Sequence, residues 1–236
     1  MAAPGSRPLK TVDFFRKAGL LEHDGKHVSY KLRSGQIVHD IVLSSQNMDE
    51  YQGATARLAR RLVCTINDAS MPAWAKLDDA KALFRALEIL EGQQAKQCME
   101  HIFAEETRLG TALPNATIEG GGLEVEVDLY MFNNSGTEDK VFEIKSSYHP
   151  AFHTKDERQT QLYMYAISKM HEARGNFPQV SGQLVYLDRH DGGPNIETIV
   201  LDERAIARIE RDKKAIFRQY AEPAAARKVA ASVEDV

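Results

Sequence analysis

Cysteine is scarce in this chain of 236 residues: there are two, Cys64 and Cys98, and they stand at no metal-knuckle spacing. That is too few for a disulfide framework, and an iron–sulfur cluster held by about four thiolates is excluded as well. Long apolar runs are missing too, since none approaches the roughly 18 residues needed to span a bilayer. The segment Met1 to Arg7 lacks the charged-then-apolar order of a secretory signal, so the expectation is an intracellular, cytoplasmic protein with no membrane partner. Excess positive charge is absent as well. A formal charge of −4 argues against a protein that coats polyanions by bulk attraction, yet leaves room for a local basic groove. What remains is ordinary globular composition, with 43% hydrophobic and 27% charged residues, enough for one sizeable core.

Along the chain, Pro4, Gly5 and Pro8 mark a flexible arm. Val28 to Leu32 and Gln36 to Leu43 read as two strands joined by a tight turn at Arg33-Ser34-Gly35, a small hairpin. Met48 to Ile66 is helical, and Met71-Pro72 breaks the pattern. Asp78 or Asp79 then caps a helix bearing Leu83, Leu87 and Leu90, and a further helix runs from Gln93 to Leu109. Gly120-Gly121-Gly122 ends this helical region and launches a strand from Leu123 to Phe132. Its alternation sets Val125, Val127 and Leu129 on one face and Glu124, Glu126 and Asp128 on the other. A turn over Asn133 to Asp139 leads into a strand from Lys140 to Ser147. A helix from Arg158 to Met170, strands at Gln183 to Leu187 and Ile196 to Leu201, and a last helix from Asp202 to about Tyr220 complete the reading. The tail from Glu222 to Val236 is rich in alanine and charge. No internal repeat is present.

The chemically informative stretch is Asp128 followed, after the turn, by Glu143-Ile144-Lys145. Alternation along a strand sends Glu143 and Lys145 to the same face, and a hairpin sets them beside Asp128. Two carboxylates with one amine suit phosphodiester hydrolysis: carboxylates and phosphate oxygens bind Mg²⁺, or Mn²⁺, which activates water and stabilises the leaving oxygen. The lysine either orients that water or neutralises the charge that develops; the sequence leaves these roles open. Charged cross-strand pairs on a solvated face are the other reading of Glu-x-Lys. Between this strand and the following helix, His149, His153, Lys155 and Arg158 either line a phosphate-binding groove or form an exposed polar loop. Arg57, Arg60 and Arg61 share a helix face and suit a track for a phosphate backbone.

In these elements the chain resembles the PD-(D/E)XK nuclease superfamily, and within it the RecB-like exonuclease branch. The resemblance rests on Val127-Asp128, on Glu143-Ile144-Lys145, and on Gln161-Leu-Tyr-Met-Tyr165, which looks like the branch's Gln-x-x-x-Tyr signature. It implies a restriction-endonuclease-like α/β core, a mixed central β-sheet flanked by helices, spanning residues 93–221. A mostly helical N-terminal region of unassigned role (1–92) precedes it and a tail (222–236) follows. It further implies Asp128, Glu143 and the Ile144 carbonyl as metal ligands, Lys145 as the catalytic lysine, and Gln161 and Tyr165 on one helix face toward the site. For Tyr165 core packing is the alternative. A helix-borne histidine often adds a ligand in this branch; His101 is the candidate, although Gln97 stands where the branch usually has glycine, and Glu105 or Glu106 are alternatives. The implied activity is that of a Mg²⁺-dependent deoxyribonuclease without an iron–sulfur cluster, acting on DNA ends or single strands in replication, recombination or repair, as in phages. A catalytically silent DNA-binding module and a sequence-specific endonuclease are the competing readings.

Overall fold

A computed structural model describes residues 9–10 and 30–215. The elements follow the order β1 (Leu9–Lys10), α1 (Tyr30–Ser44), α2 (Met48–Asn67), α3 (Ala73–Glu91), α4 (Gln93–Leu109), β2 (Gly110–Gly120), β3 (Leu123–Asn133), β4 (Glu138–Lys145), α5 (Pro150–Ala173), β5 (Gln179–Tyr186), β6 (Ile196–Ile199) and α6 (203–215). The six strands form one mixed sheet with helices on both faces, an α/β fold preceded by a helical N-terminal region. Among the described residues no helix is long and apolar enough to cross a membrane. The readings for residues 1–8, Val28, Ser29 and the tail beyond 215 lie outside the described residues.

Where a hairpin was expected, the chain from Tyr30 onward is α1. The buried positions Ser34, Val38 and Val42 recur every fourth residue, which is the spacing of a helix face and not of a strand. The β-branched run Ile37-Val38…Ile41-Val42 and the turn-like Arg33-Ser34-Gly35 conceal that period, and tertiary burial decides the matter. Gly35 has its own reason to be there: a Cβ on it would lie 3.3 Å from Ser146 Oγ, so α1 passes close over the residue that follows Lys145. Downstream, α3 begins at Ala73 directly after Pro72, ahead of Asp78. Asp202 caps α6, its Oδ1 accepting from the Ala205 N–H at 2.7 Å.

The sheet also contains a strand that periodicity hides. Among the described residues β2 is an edge strand pairing only with β3, in antiparallel register from Gly110↔Asn133 to Gly120↔Leu123. Its burial shows no clean alternation, and Pro114, which has no N–H for a ladder, is tolerated because β2 lies at an edge. The connection to β3 is the two-residue turn Gly121-Gly122, both with positive φ (60° and 80°), the backbone that hairpin turns of this length require. Gly120 is needed for a different reason: a Cβ there would sit 1.9 Å from the Ala166 carbonyl of α5. Gly120→Ala is expected to force the hairpin off α5 and to destabilise the protein by about 2–3 kcal/mol, read as a lowered urea midpoint.

The helices cover two distinct apolar clusters. One joins Val125, Val127, Val141 and Leu184 to the α5 run Leu162–Ile167 and to Ile209 of α6. The other joins Leu129, Met131, Phe142, Ile144 and Val185 to α1, α3 and α4 through Val38, Leu87 and Ile102. This second cluster runs across position 92, so the N-terminal helices and the sheet share one core. At about 1.5–3 kcal/mol for each large apolar side chain buried, these clusters dominate what holds the layers together.

The two memberships reveal a change of face within β3. Val125 and Val127 lie under α5, but Leu129 lies under the N-terminal helices, so the expected uniform alternation fails at Asp128. Opposite that residue Asn115 takes a left-handed conformation (φ 51°), and the β2–β3 ladder lacks this one pair between Pro114↔Leu129 and Ala116↔Val127. A local break of this kind in a ladder re-aims a side chain.

On its other edge β3 is shared. β1 pairs with it in parallel at Leu123 and Glu124, while β4 pairs antiparallel from Phe132↔Asp139 to Leu129↔Phe142. The ladder stops there, one step short of setting Asp128 against Glu143. β4 instead continues beside β5, in parallel register through Glu143↔Leu184 to Lys145↔Tyr186, with α5 as the crossover.

Candidate active site

The site lies where β3 and β4 part. Asp128 bridges the opening: its Oδ2 accepts from the Ile144 N–H at 2.8 Å, replacing the ladder partner that β4 has lost. Its Oδ1 lies 3.1 Å from His39 Nε2, carried by α1. That hydrogen bond to a carboxylate raises the proton affinity of His39 against the opposing effect of burial.

Glu143 and Lys145 project toward α5, as alternation requires, and Lys145 Nζ donates to Glu143 Oε1. Glu143 is 1% exposed, and its second oxygen, Oε2, is buried with no hydrogen-bond partner among the described residues. Burial, followed by the neighbouring Asp128 charge, raises its proton affinity above the ordinary carboxylate range. Lys145 is held protonated: burial opposes its charge, but Glu143, Asp156 and Asp128 outweigh it. Asp156 stands 3.9 Å from Nζ, and Gln159 Oε1 lies at 3.5 Å.

The α5 face that meets this cluster is not the expected one. Gln159 contacts Lys145 and donates to the Tyr163 hydroxyl, and Tyr163 is buried near Glu143 and Asp128, its phenol pushed well above its usual range by burial and then by those charges. Gln159 and Tyr163 are themselves a Gln-x-x-x-Tyr pair. Gln161 and Tyr165, two residues further on, are turned by about 200° around the helix axis. Gln161 donates to the Val200 carbonyl at 3.0 Å and accepts from Arg208, while Tyr165 donates to Glu210 and accepts from Lys213 at 2.9 Å. The sequence Gln159-Thr-Gln161-Leu-Tyr163-Met-Tyr165 contains the pattern in two overlapping frames, and only burial chooses between them. Tyr163→Phe is therefore expected to weaken whatever chemistry this site performs by about tenfold. Tyr165→Phe is expected to leave it within about twofold and to cost about 1 kcal/mol of stability, measured by denaturant unfolding.

His101 is not brought to the site. Its Nε2 bonds Gln183 Oε1 at 2.7 Å and its ring meets Phe142 edge-on, within the layer of N-terminal helices. Of the acidic alternatives, Glu105 pairs with Lys140 and Arg108, and Glu106 lines a cavity with Val42, Ile102 and Leu129. The helix-borne histidine next to Asp128 is His39, which sequence reading missed because its segment looked like a strand. Ile144 contributes its N–H to Asp128 and buries its side chain among the N-terminal helices.

His153, Lys155 and Arg158 do not lie on a loop, because α5 begins at Pro150, with His149 as its cap accepting from the Ala151 N–H. His153 Nδ1 lies 3.0 Å from the Tyr186 hydroxyl, which donates to Asp156, so this histidine is linked through two groups to Lys145. Its Nε2 faces Glu197 at 3.5 Å. Lys155 lies over the Phe152 ring, and Arg158 has a buried Nε without an acceptor. Arg57, Arg60 and Arg61 are exposed on α2. Of the cysteines, Cys64 is exposed, and Cys98 is buried among apolar groups that push its thiol up to about 12.

Among the described residues no three His, Cys, Asp or Glu side chains already form a cation cage. Asp128 is engaged by Ile144 and His39, and Glu143 by Lys145. The two carboxylates of different strands nevertheless have the character a hard divalent ion selects, with a buried oxygen on one of them that has no partner among the described residues, whereas the His39 imidazole is a nitrogen donor better suited to a transition metal such as Mn²⁺.

No family model and no curated protein matches this chain. A solved structure described as SSO0001 is similar over 67% of this chain and 84% of its own, at 18% identity and a TM-score of 0.28, and a likeness at that level carries no argument.

Proposed function

We propose that this protein is a divalent-cation-dependent nuclease that hydrolyses phosphodiester bonds in DNA, of the PD-(D/E)XK type and closest in design to the cluster-free RecB-like exonucleases. The observation that carries this reading is the parting of β3 and β4 at Asp128, which gathers Asp128, Glu143 and Lys145 at one opening. Asp128 and Glu143 would hold Mg²⁺ or Mn²⁺, with the Ile144 carbonyl and His39 nearby. Such an ion, when bound, supplies an activated water and stabilises charge on the leaving oxygen.

The chain's own groups do the rest. Asp128 stays oriented by the Ile144 N–H. Once Glu143 is engaged by a cation, Asp156 and Gln159 retain the Lys145 ammonium, which is positioned to neutralise the charge growing on the phosphorane oxygens or to orient the nucleophile. Tyr163 and Gln159 set the wall of the pocket on the α5 side.

The decisive experiment follows 5′- and 3′-labelled single-stranded and duplex DNA with Mg²⁺, Mn²⁺ or EDTA. Cation-dependent progressive shortening supports an exonuclease, and discrete plasmid fragments favour a sequence-specific endonuclease. The silent, DNA-binding module has one specific point in its favour, the Lys145–Glu143 ion pair that occupies a ligand oxygen. Failure of the pure protein to degrade any of these substrates would establish that reading instead.

A further inference from the structure

We infer that Arg158 of α5 and Arg208 of α6, which donates to Gln161 one helical turn beyond Arg158, form a clamp for one phosphodiester group of the nucleic-acid strand, around α5 from the catalytic pocket; the inference rests on the nuclease reading above.

Three observations converge on it. First, Arg208 reaches Gln161, which follows Arg158 by three residues on the same face of α5, so both guanidiniums belong to that face; in keeping with this, the charge of Arg158, after burial, lowers the proton affinity of Arg208. Secondly, they lack the compensation that similar residues receive. Arg33, Arg85, Arg108 and Arg189 are each held by a carboxylate, whereas neither Arg158 nor Arg208 has one within ion-pair distance among the described residues. Glu157, Asp202 and Asp212 influence Arg208 only from a distance. Thirdly, Arg158 Nε is a buried donor with no acceptor among the described residues, and Arg208 donates to a neutral group, the Gln161 carbonyl oxygen. Gln161 is itself fixed by its bond to Val200.

Two guanidiniums on one helix face repel each other, and a buried N–H without an acceptor adds its own desolvation cost. An anion presenting two oxygens to two planar donor forks removes both penalties, and a phosphodiester has that shape. The location also suits a strand. Arg158 directly precedes Gln159, which touches Lys145, and successive side chains on a helix point about 100° apart. A backbone bound at the clamp can thus pass along α5 into the opening between β3 and β4, with Lys155 one turn earlier adding positive charge on the same side.

The test uses the full chain carrying Lys145→Ala, so that DNA is bound and not consumed. Fluorescence anisotropy with a labelled oligothymidylate in Mg²⁺ is measured across a salt series. Arg158→Gln with Arg208→Gln is expected to weaken binding at least tenfold at low salt. The slope of log K against log salt should become shallower by about 0.7, the value for one phosphate of a single strand. Arg158→Lys with Arg208→Lys keeps the charges, is the gentler change for folding, and should fall between. Lys81→Gln with Lys96→Gln, which removes two exposed charges elsewhere, should stay within twofold. A second readout is independent of DNA: at matched ionic strength inorganic phosphate should raise the thermal midpoint of the wild type over chloride, and the glutamine pair should abolish the difference.

Oligonucleotide binding by the arginine variants equal to that of the lysine control, with no phosphate effect, would overturn the clamp while leaving a cleaving wild type intact. A wild type that neither binds nor cuts DNA, yet is protected by phosphate through these arginines, would overturn the nuclease reading and leave an oxyanion site.

Discussion

Lys145→Ala is expected to reduce Mg²⁺-dependent DNA cleavage by about two to three orders of magnitude while leaving DNA affinity within a few-fold. A preorganised charge aimed at the transition state is worth about 3–4 kcal/mol, and each 1.36 kcal/mol is a factor of ten in rate. The expectation is specific because Lys145 has two separable roles. In the cation-free protein it neutralises Glu143 and faces Asp156, so its removal leaves buried carboxylates uncompensated and lowers stability. With saturating cation that structural role passes to the ion, and only the chemical loss remains. Single-turnover cleavage and anisotropy at several Mg²⁺ concentrations separate the two. Wild-type turnover by the alanine variant at saturating Mg²⁺ would remove the basis of the proposed mechanism.

The second large effect is on stability. Mn²⁺ or Mg²⁺ at about a hundred times its dissociation constant should stabilise the fold by about 2.7 kcal/mol, or about 5–10 °C in a chain of this length. Its dependence on pH follows from Glu143, whose proton affinity is raised by burial and by Asp128. A carboxyl group with a folded-state value above its unfolded one gives stability that is complete below the ordinary carboxylate range. That stability is lost as pH rises through the raised value. The cation-free protein should therefore weaken from mildly acidic toward alkaline pH. A cation replaces the proton, so its stabilising effect should grow over the same interval. Differential scanning calorimetry from pH 5 to 9, with and without Mn²⁺, measures this. Glu143→Gln should flatten the cation-free pH dependence, and both Glu143→Gln and Asp128→Asn should lose the cation-induced shift. An equal shift in all three proteins would show that the ion binds elsewhere.

Much of the candidate site is legible in the sequence, and the parts that are not share a cause. Asp128, Glu143 and Lys145 were legible because a strand has a fixed two-residue period, so Glu-x-Lys on one face survives any tertiary arrangement. The helical periods of α2, α3 and α4 were legible for the same kind of reason. α1 was not, because Ile37-Val38-His39-Asp40-Ile41-Val42 satisfies both periods, and with it went His39. β2 was not, because an edge strand with Pro114 and one side toward solvent carries little alternation.

The choice between Gln159-Tyr163 and Gln161-Tyr165 belongs to the same class of question. Both pairs are spaced for one helix face, and the amino acids are identical in type. What separates them is that α5 packs between the sheet and α6, so that one face receives Lys145 and Glu143 and the other receives Arg208 and Glu210.

By itself, then, the order of residues determined the local periods, the strand bearing Glu143 and Lys145, and the chemical character of the donor set, because these depend only on neighbours along the chain. Tertiary structure alone decided that the buried face of β3 changes at Asp128, that His39 and not His101 stands beside it, and which side of α5 looks into the pocket. Those outcomes depend on which distant surfaces become buried against one another, and burial is a property of pairs of elements that no single segment encodes.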